Sequence, residues 1–303
     1  MPELPEVETI VKDLQKKILG EKILNIEIFD QKVWRGEFSS DFLCNKKITK
    51  ISRRGKFIVL NIDKKYFLLV HLRMTGRILF FQEKKLKKNF STQFSKSESQ
   101  QQFKQKNKND QNLQHLEYKK IQKSFIRAII FLENKNVLIF SDVRKFGFLQ
   151  ILNKSDFENF SQNWGIEPFD KNFSFTIFQK KLSPKKNIKN FLLDQKSIAG
   201  IGNIYADEIL FEAKISPLNK IQDLDKKNLK KLFFAIPKIL DLAIKNRGTT
   251  FDSFRDANGL KGKFQNFLKV YGRAGKKCKI CNNILEKIRV SGRGTVFCRN
   301  CQK

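Results

Sequence analysis

Four of the five cysteines in this chain fall into two close pairs, Cys278-x2-Cys281 and Cys298-x2-Cys301, with sixteen residues between them. That spacing fits a structural zinc site, because two knuckles can present four thiolates to one tetrahedral Zn2+ ion. The segment is too short and polar to fold on an apolar core alone, so the metal would supply its folding energy. Four reduced structural cysteines without metal are the alternative. Between the pairs, Val290-Ser-Gly-Arg-Gly-Thr-Val-Phe297 alternates and turns at its glycines as a hairpin does, which puts Arg293 at the tip. Cys44 stands alone and reads as a small buried apolar residue.

A second chemistry is written at the start, Met-Pro-Glu-Leu-Pro-Glu-Val-Glu-Thr. Methionine before a small residue is readily removed, which would leave Pro2 with a free secondary amine. Such an amine adds to an aldehyde-like carbon and gives an iminium, cationic without needing a proton and therefore an electron sink. An unperturbed α-amino group titrates near about 8, so part of it is unprotonated at neutral pH. Glu3 could take or deliver that proton. The same Pro and Glu residues also suit a plain helix start. A third feature is Ala199-Gly-Ile-Gly-Asn203, whose glycines permit close backbone approach and whose Asn-led helix start offers free amides to an anion; an ordinary helix corner has the same pattern.

The elements that must position these groups follow from the apolar periodicity. A first helix is expected over Pro5 to Leu19. Short β-type runs follow at Ile23–Phe29, Lys47–Ile51, Phe57–Ile62, Tyr66–Leu72, Arg77–Phe81, Ile126–Phe131, Val137–Phe140 and Phe148–Leu152, a sandwich or barrel pattern. Lys84 to Lys120 is rich in Lys, Gln, Asn and Ser without apolar period and reads as a mobile surface insertion. Beyond about Phe173 the period becomes helical, with helices expected at Asn187–Gln195, Asn203–Ala213 and Lys226–Asn246, the last kinked or divided by Pro237.

Composition sets the partner class. Lys and Arg number 61 against 30 Asp and Glu, a formal charge of +31 that favours a polyanion such as nucleic acid. The wealth of Lys, Asn, Ile and Phe is also what A- and T-rich coding DNA produces, so charge alone only ranks nucleic acid first. The acidic start and the lack of a long apolar stretch point to a soluble, intracellular protein, and the cysteine usage argues against a secreted disulfide framework.

Taken in order, Met-Pro-Glu-Leu-Pro-Glu, Arg53-Arg-Gly-Lys56, His71-Leu-Arg-Met-Thr-Gly76, Asp142-Val-Arg-Lys-Phe-Gly147, Gly200-Ile-Gly-Asn203 and the cysteine pairs closely resemble the formamidopyrimidine-DNA glycosylases, almost end to end apart from Lys84 to about Phe125. The resemblance implies an α+β protein: an N-terminal β-sandwich flanked by helices (1–168, with the insertion at 84–120), a helix–two-turn–helix domain (169–265) and a zinc-finger β-hairpin (266–303), with damaged duplex DNA in the cleft. It implies a cytoplasmic, nucleoid-associated bacterial monomer with one structural Zn2+ on Cys278, Cys281, Cys298 and Cys301. By the same resemblance Pro2 is the nucleophile, Glu3 the acid that helps displace the base and open the sugar, Lys56 a proton donor and phosphate contact, and Arg293 a phosphate contact that assists elimination. Asn203 matches a phosphate ligand and Lys189 a lysine facing the site. Met74, Arg144 and Phe146 match the side chains that enter the duplex, and Gly248-Thr-Thr-Phe251 through Gly262 a loop that closes over the everted lesion.

One departure concerns Ser124-Phe-Ile-Arg-Ala128, where the family usually carries a pair of histidines; Arg127 is the candidate to supply the missing phosphate contact. Two rival readings remain. An endonuclease VIII-like enzyme would remove oxidised pyrimidines with the same proline chemistry, but Leu4 and a wedge divided between Met74 and Arg144/Phe146 favour the purine branch. A zinc DNA-binding protein without catalysis would not require the Pro2-Glu3 start.

Overall fold

Apolar residues at positions 4, 7, 10, 11, 14 and 18 line one face of the first helix, α1 (Leu4–Ile18), and all are buried. Its first turn is fixed by Glu6, whose Oε2 accepts the Glu3 N–H at 2.8 Å, and by Pro5, whose missing N–H costs nothing there. The computed structural model describes residues 1–82 and 123–303; the insertion expected at 84–120 lies outside the described residues.

Two sheets follow. Strands β1 (Ile23–Ile28), β6 (Arg77–Gln82), β7 (Ile126–Leu132) and β8 (Asn136–Ser141) form a four-stranded sheet in the order β1-β7-β8-β6. Strands β2 (Trp34–Arg35), β3 (Ile48–Arg54), β4 (Phe57–Ile62), β5 (Tyr66–His71) and β9 (Phe148–Asn153) form a five-stranded sheet in the order β2-β9-β5-β4-β3. All pairings are antiparallel except β2 with β9. Ile58, Leu60, Leu68 and Val70 from one sheet meet Ile26, Ala128, Ile130 and Phe140 from the other, with the apolar face of α1 in the same core. The period-2 alternation thus sends alternate residues inward, as in any sandwich. The outer face of the larger sheet is covered by Phe157, Phe160 and Trp164, on and just after α2 (Lys154–Gln162).

The helical half comprises α3 (Phe175–Lys180), α4 (Ile188–Leu193), α5 (Asn203–Ala213) and α6 (Lys226–Lys245) around a second core that includes Leu4 from the N-terminus. Of the two outcomes expected at Pro237, division does not occur: α6 runs as one helix of 20 residues with the proline inside it. Losing one N–H bond is tolerated because Leu232, Ile236, Ile239 and Leu240 are buried around it. The tail ends in the hairpin β10 (Glu286–Val290) and β11 (Arg293–Phe297), whose two-residue turn, Ser291 and Gly292, has positive φ at both positions, 47° and 77°. That is the turn whose twist matches paired strands.

Candidate active site and nucleic-acid interface

The N-terminus threads between the two cores. Leu4 donates its N–H to Gly200 O at 3.0 Å, which lays Pro2 and Glu3 against the start of α5. The Glu3 carboxylate accepts the N–H of Gly202 at 2.6 Å and of Ile204 at 3.0 Å. Unpaired amides at a helix N-terminus hold an anion well, and here a side chain supplies it. Gly202 is required by space, since a Cβ there would stand 2.3 Å from Glu3 Cδ. Gly200, with φ of 95°, would push a Cβ to 2.7 Å from Leu4. Pro2 is buried, while Met1 is exposed at the mouth of a cavity of 80 Å³ lined also by Ile204, Thr249, Phe251 and Ser253.

Glu6, which spacing alone marks only as a helix-start residue, is part of this centre. It accepts the Tyr205 hydroxyl at 2.5 Å and the Thr249 N–H at 2.6 Å. Burial first, and the Glu3 carboxylate second, push it up to about 7 from 4.5, against the three donors that favour its anion. The folded protein therefore keeps a proton that the unfolded chain has released between pH 4.5 and about 7. Stability should fall as pH rises through that window, by on the order of 3 kcal/mol from this group. Glu6→Gln, which cannot ionise, should flatten the fall in urea-unfolding free energy between pH 5 and pH 7.5, even though one of its hydrogen bonds is lost. An unchanged slope would show that Glu6 is ionised throughout.

Lys56 is presented by the turn between β3 and β4. Glu167 grips this turn, accepting Gly55 N–H at 2.5 Å, Arg54 Nη1 at 3.0 Å and Arg53 Nη1 at 2.6 Å. Lys56 itself is buried and makes no hydrogen bond or ion pair among the described residues. Burial drives its ammonium below the usual lysine range, with Arg293 adding to the effect and the Glu3 and Glu6 carboxylates opposing it. An amine so placed exchanges its proton more readily than an exposed lysine. Arg293 is exposed at the hairpin turn, near enough for its charge to act on Lys56 and Lys189.

Lys189 lies on α4, with the charges of Glu3 and Arg293 acting on it. It is fully buried, 2.6 Å from Asp207 Oδ1, and donates to Thr295 Oγ1 at 2.6 Å. Burial opposes both charges of this pair, raising Asp207 to about 6 and lowering Lys189. Asp207 also accepts the Val296 N–H at 3.0 Å, and Asn203 Nδ2 donates to Gly294 O at 2.9 Å. Lys189 thus fastens α4 and α5 to β11. Asn203 is half-buried, and its Oδ1 has no hydrogen-bond partner among the described residues.

Two loops project a second cluster. Met74 and Phe146 are 44% and 55% exposed, unusual for large apolar side chains, and Arg144 Nη1 lies 3.4 Å from Met74 Sδ. Asp142 ties the loops together: its carboxylate accepts the Thr75 hydroxyl, Arg144 N–H at 3.1 Å and Gly147 N–H at 2.7 Å. His71 Nδ1 accepts Arg73 N–H at 3.0 Å; burial, with Arg73, Lys56 and Arg35 nearby, pushes it down to about 3, so it is a neutral brace. Arg127, expected at a phosphate, is instead buried and donates from Nε to Asp142 O at 2.9 Å. The loop that runs from Gly248 is held at its root by Arg247, which pairs with Asp13 and Asp256, and at its tip Ser253 Oγ donates to Met74 O at 3.2 Å.

The four paired cysteines place their sulfurs within 4.8 Å of one another, Cys278 to Cys301 at 3.9 Å and Cys281 to Cys298 at 3.4 Å. Zn–S bonds of about 2.3 Å in a tetrahedron put sulfurs roughly 3.8 Å apart, so the thiols fit one zinc ion. Around them only Phe211, Val270, Leu285 and Val296 form a small apolar cluster, too little to hold the tail by itself.

Comparison with known proteins places this arrangement. Residues 1–149 match the formamidopyrimidine-DNA glycosylase N-terminal domain, 164–255 its H2TH domain, and 275–303 the zinc finger found in FPG and IleRS. A formamidopyrimidine-DNA glycosylase of Wolbachia pipientis subsp. Culex pipiens (strain wPip) is 38% identical over 306 residues, covering 100% of both chains. The chain belongs to the formamidopyrimidine-DNA glycosylase family. The Pelotomaculum thermopropionicum member is 36% identical, over 100% of this chain and 99% of its own. Lactococcus lactis Fpg, solved in complex with DNA containing an abasic site, superposes with a TM-score of 0.80 at 32% identity, covering 99% of each chain. The glycosylase family fold accounts for the α+β architecture and the zinc hairpin described above. Among the described residues no helix is long and apolar enough to cross a membrane.

Proposed function

We propose that this glycosylase removes oxidised purines, 8-oxoguanine and formamidopyrimidines, from duplex DNA and then cuts the strand at the vacated sugar. The observation that carries the reading is that Pro2, at the wall of a small cavity, adjoins an amide-held Glu3 whose carboxylate lies near enough to the buried Lys56 for its charge to act on that ammonium. The freed Pro2 amine forms a bond to the sugar C1′ as the bond to the base breaks, the base leaving with the electron pair and taking a proton from solvent. Glu3 takes the proton that the Pro2 nitrogen sheds and passes it to the ring oxygen as the C1′–O4′ bond breaks, leaving an iminium on Pro2. Loss of a C2′ proton into that electron sink expels the 3′ phosphate, and loss of a C4′ proton then expels the 5′ phosphate. Lys56 handles protons and, with Arg293, steadies the departing phosphates.

Reaching the base requires unstacking it, at a cost of a few kcal/mol or so. Met74 and Phe146 offer apolar surface to replace the lost stacking, Arg144 offers donors to the orphaned base, and Asn203 offers a contact to the backbone. Lys189 and Arg127 act from inside the protein. The zinc ion, when bound, fixes the fold of the hairpin and supplies no chemistry to the reaction. Relatives from Lactococcus lactis have been solved with DNA containing Fapy-dG and with DNA containing an oxidised pyrimidine, so both classes belong in the test.

Borohydride trapping on duplexes carrying 8-oxoguanine, a formamidopyrimidine, an oxidised pyrimidine, an abasic site or no damage should yield adducts with the purine lesions and the abasic site and none with intact DNA. Stronger trapping on the pyrimidine would move the chain to endonuclease VIII-like chemistry. Binding without any adduct would make it a non-catalytic zinc protein.

A further inference from the structure

Arg127 is the buried cation that the reaction leaves without a task. It lies where β7 departs from regular pairing with β8: Ile126 pairs with Ser141 and Ala128 with Phe140, so Arg127 is the extra residue of a bulge. A bulge re-aims a side chain, and this one sends the guanidinium to the end of β8, where Nε donates to Asp142 O. Asp142 is the residue whose carboxylate gathers both projecting loops through Thr75, Arg144 N–H and Gly147 N–H. The loop between them has a second anchor beside the first. Lys145, in the left-handed region with φ of 60°, reaches Asp30 Oδ2 at 2.9 Å, and Asp30 lies within the field of Arg127. Val143, Arg144 and Phe146 remain exposed between these two anchors.

We propose that Arg127 is a positioning residue that sets how strongly the enzyme discriminates the base opposite the lesion, by fixing the loop that carries Arg144 and Phe146. This rests on the functional reading above, in which Arg144 meets the orphaned base. A buried guanidinium is costly unless its donors are used, and here Nε is used on the Asp142 carbonyl at the root of this loop. Reading one base against another by hydrogen bonds depends on donors held in a fixed place, and a loop free to shift would accept either partner. Arg127 touches no DNA; its effect passes through the Asp142 carbonyl. Asp30 and Lys145 act in the same direction from the other side of the loop.

The experiment compares native protein, Arg127→Met and Asp30→Asn. Single-turnover excision is measured for an oxidised purine opposite cytosine and opposite adenine, together with borohydride trapping on a single-stranded abasic oligonucleotide, where there is no opposite base to read. The ratio of the two excision rates should shrink by about tenfold in Arg127→Met and by less in Asp30→Asn, a size set by the loss of one good base contact. Trapping on the single strand should stay within about twofold of native, which a general loss of structure would not permit. A ratio unchanged from native, equal losses on all three substrates, or native protein that does not discriminate at all would each overturn the proposal. If Arg127→Met does not fold, the Asp30→Asn ratio decides in the same way. Absence of any trapping by native protein would instead overturn the functional reading itself.

Discussion

Protein that retains Met1 should leave abasic DNA uncut, with lyase activity lower by about 10³-fold or more, the scale of losing a nucleophile. An amide nitrogen has no basic lone pair, so Pro2 joined to Met1 can neither attack C1′ nor form an iminium. Met1 also stands at the wall of the cavity that Pro2 lines, and its removal opens that wall. Blocking the aminopeptidase that removes Met1, or lengthening residue 1 by a resistant extension, supplies the test protein. Lesion recognition should survive, because Met74, Arg144 and Phe146 project from loops fixed by Asp142 rather than by residue 1. Pro2→Gly gives a complementary, smaller effect. It keeps a free amine but loses the ring, so the adduct is an imine that must be protonated to act as an electron sink, and cleavage should slow markedly without vanishing.

Cys298→Ser should release the metal and weaken DNA binding by about 100-fold or more, while the N-terminal sandwich stays folded. Structural zinc contributes on the order of 10 kcal/mol or more to small domains. The tail has little else: Cys298 is itself fully buried in a cluster of a few apolar residues. With the site broken, β10 and β11 are held to the helices mainly through Lys189, Asp207 and Asn203, and Arg293 loses its fixed place opposite Lys56. Zinc content by absorption spectrometry and binding by fluorescence anisotropy check this together. Metal-free protein of normal affinity would show that the hairpin needs no zinc to present Arg293.

Much of the fold is legible in the chain because burial leaves a period. Alternating runs mark eight of the sandwich strands, and the seam at positions 4, 7, 11 and 14 marks α1. Two-residue β2 is too short to carry a period, and α2 escapes because its apolar residues are only partly buried. Pro237 leaves α6 in one piece because the packing of the helix outweighs one missing bond. For the site, Pro2, Glu3 and the cysteines are legible, since their types and spacing are what the chemistry demands. The partners of Lys189 and Arg127 are not: a basic side chain does not reveal its burial, which depends on groups such as Asp207, 18 residues along the chain, and Asp142, 15 along. Glu6 is hidden for the opposite reason, because its role at a helix start is real and masks its contacts with Tyr205 and Thr249.

The account stands on Pro2 as the nucleophile, and the most direct measurement is where borohydride fixes the chain to DNA. Native, Met1-processed protein should be reduced onto an oxidised-purine duplex, digested and mapped, with the Met1-retaining protein in parallel. The account predicts a single adduct at residue 2 in the first and no adduct in the second. Lys56 is the other amine at the site, buried and shifted toward its neutral form. An adduct mapped to Lys56, together with full cleavage by the Met1-retaining protein, would contradict the account.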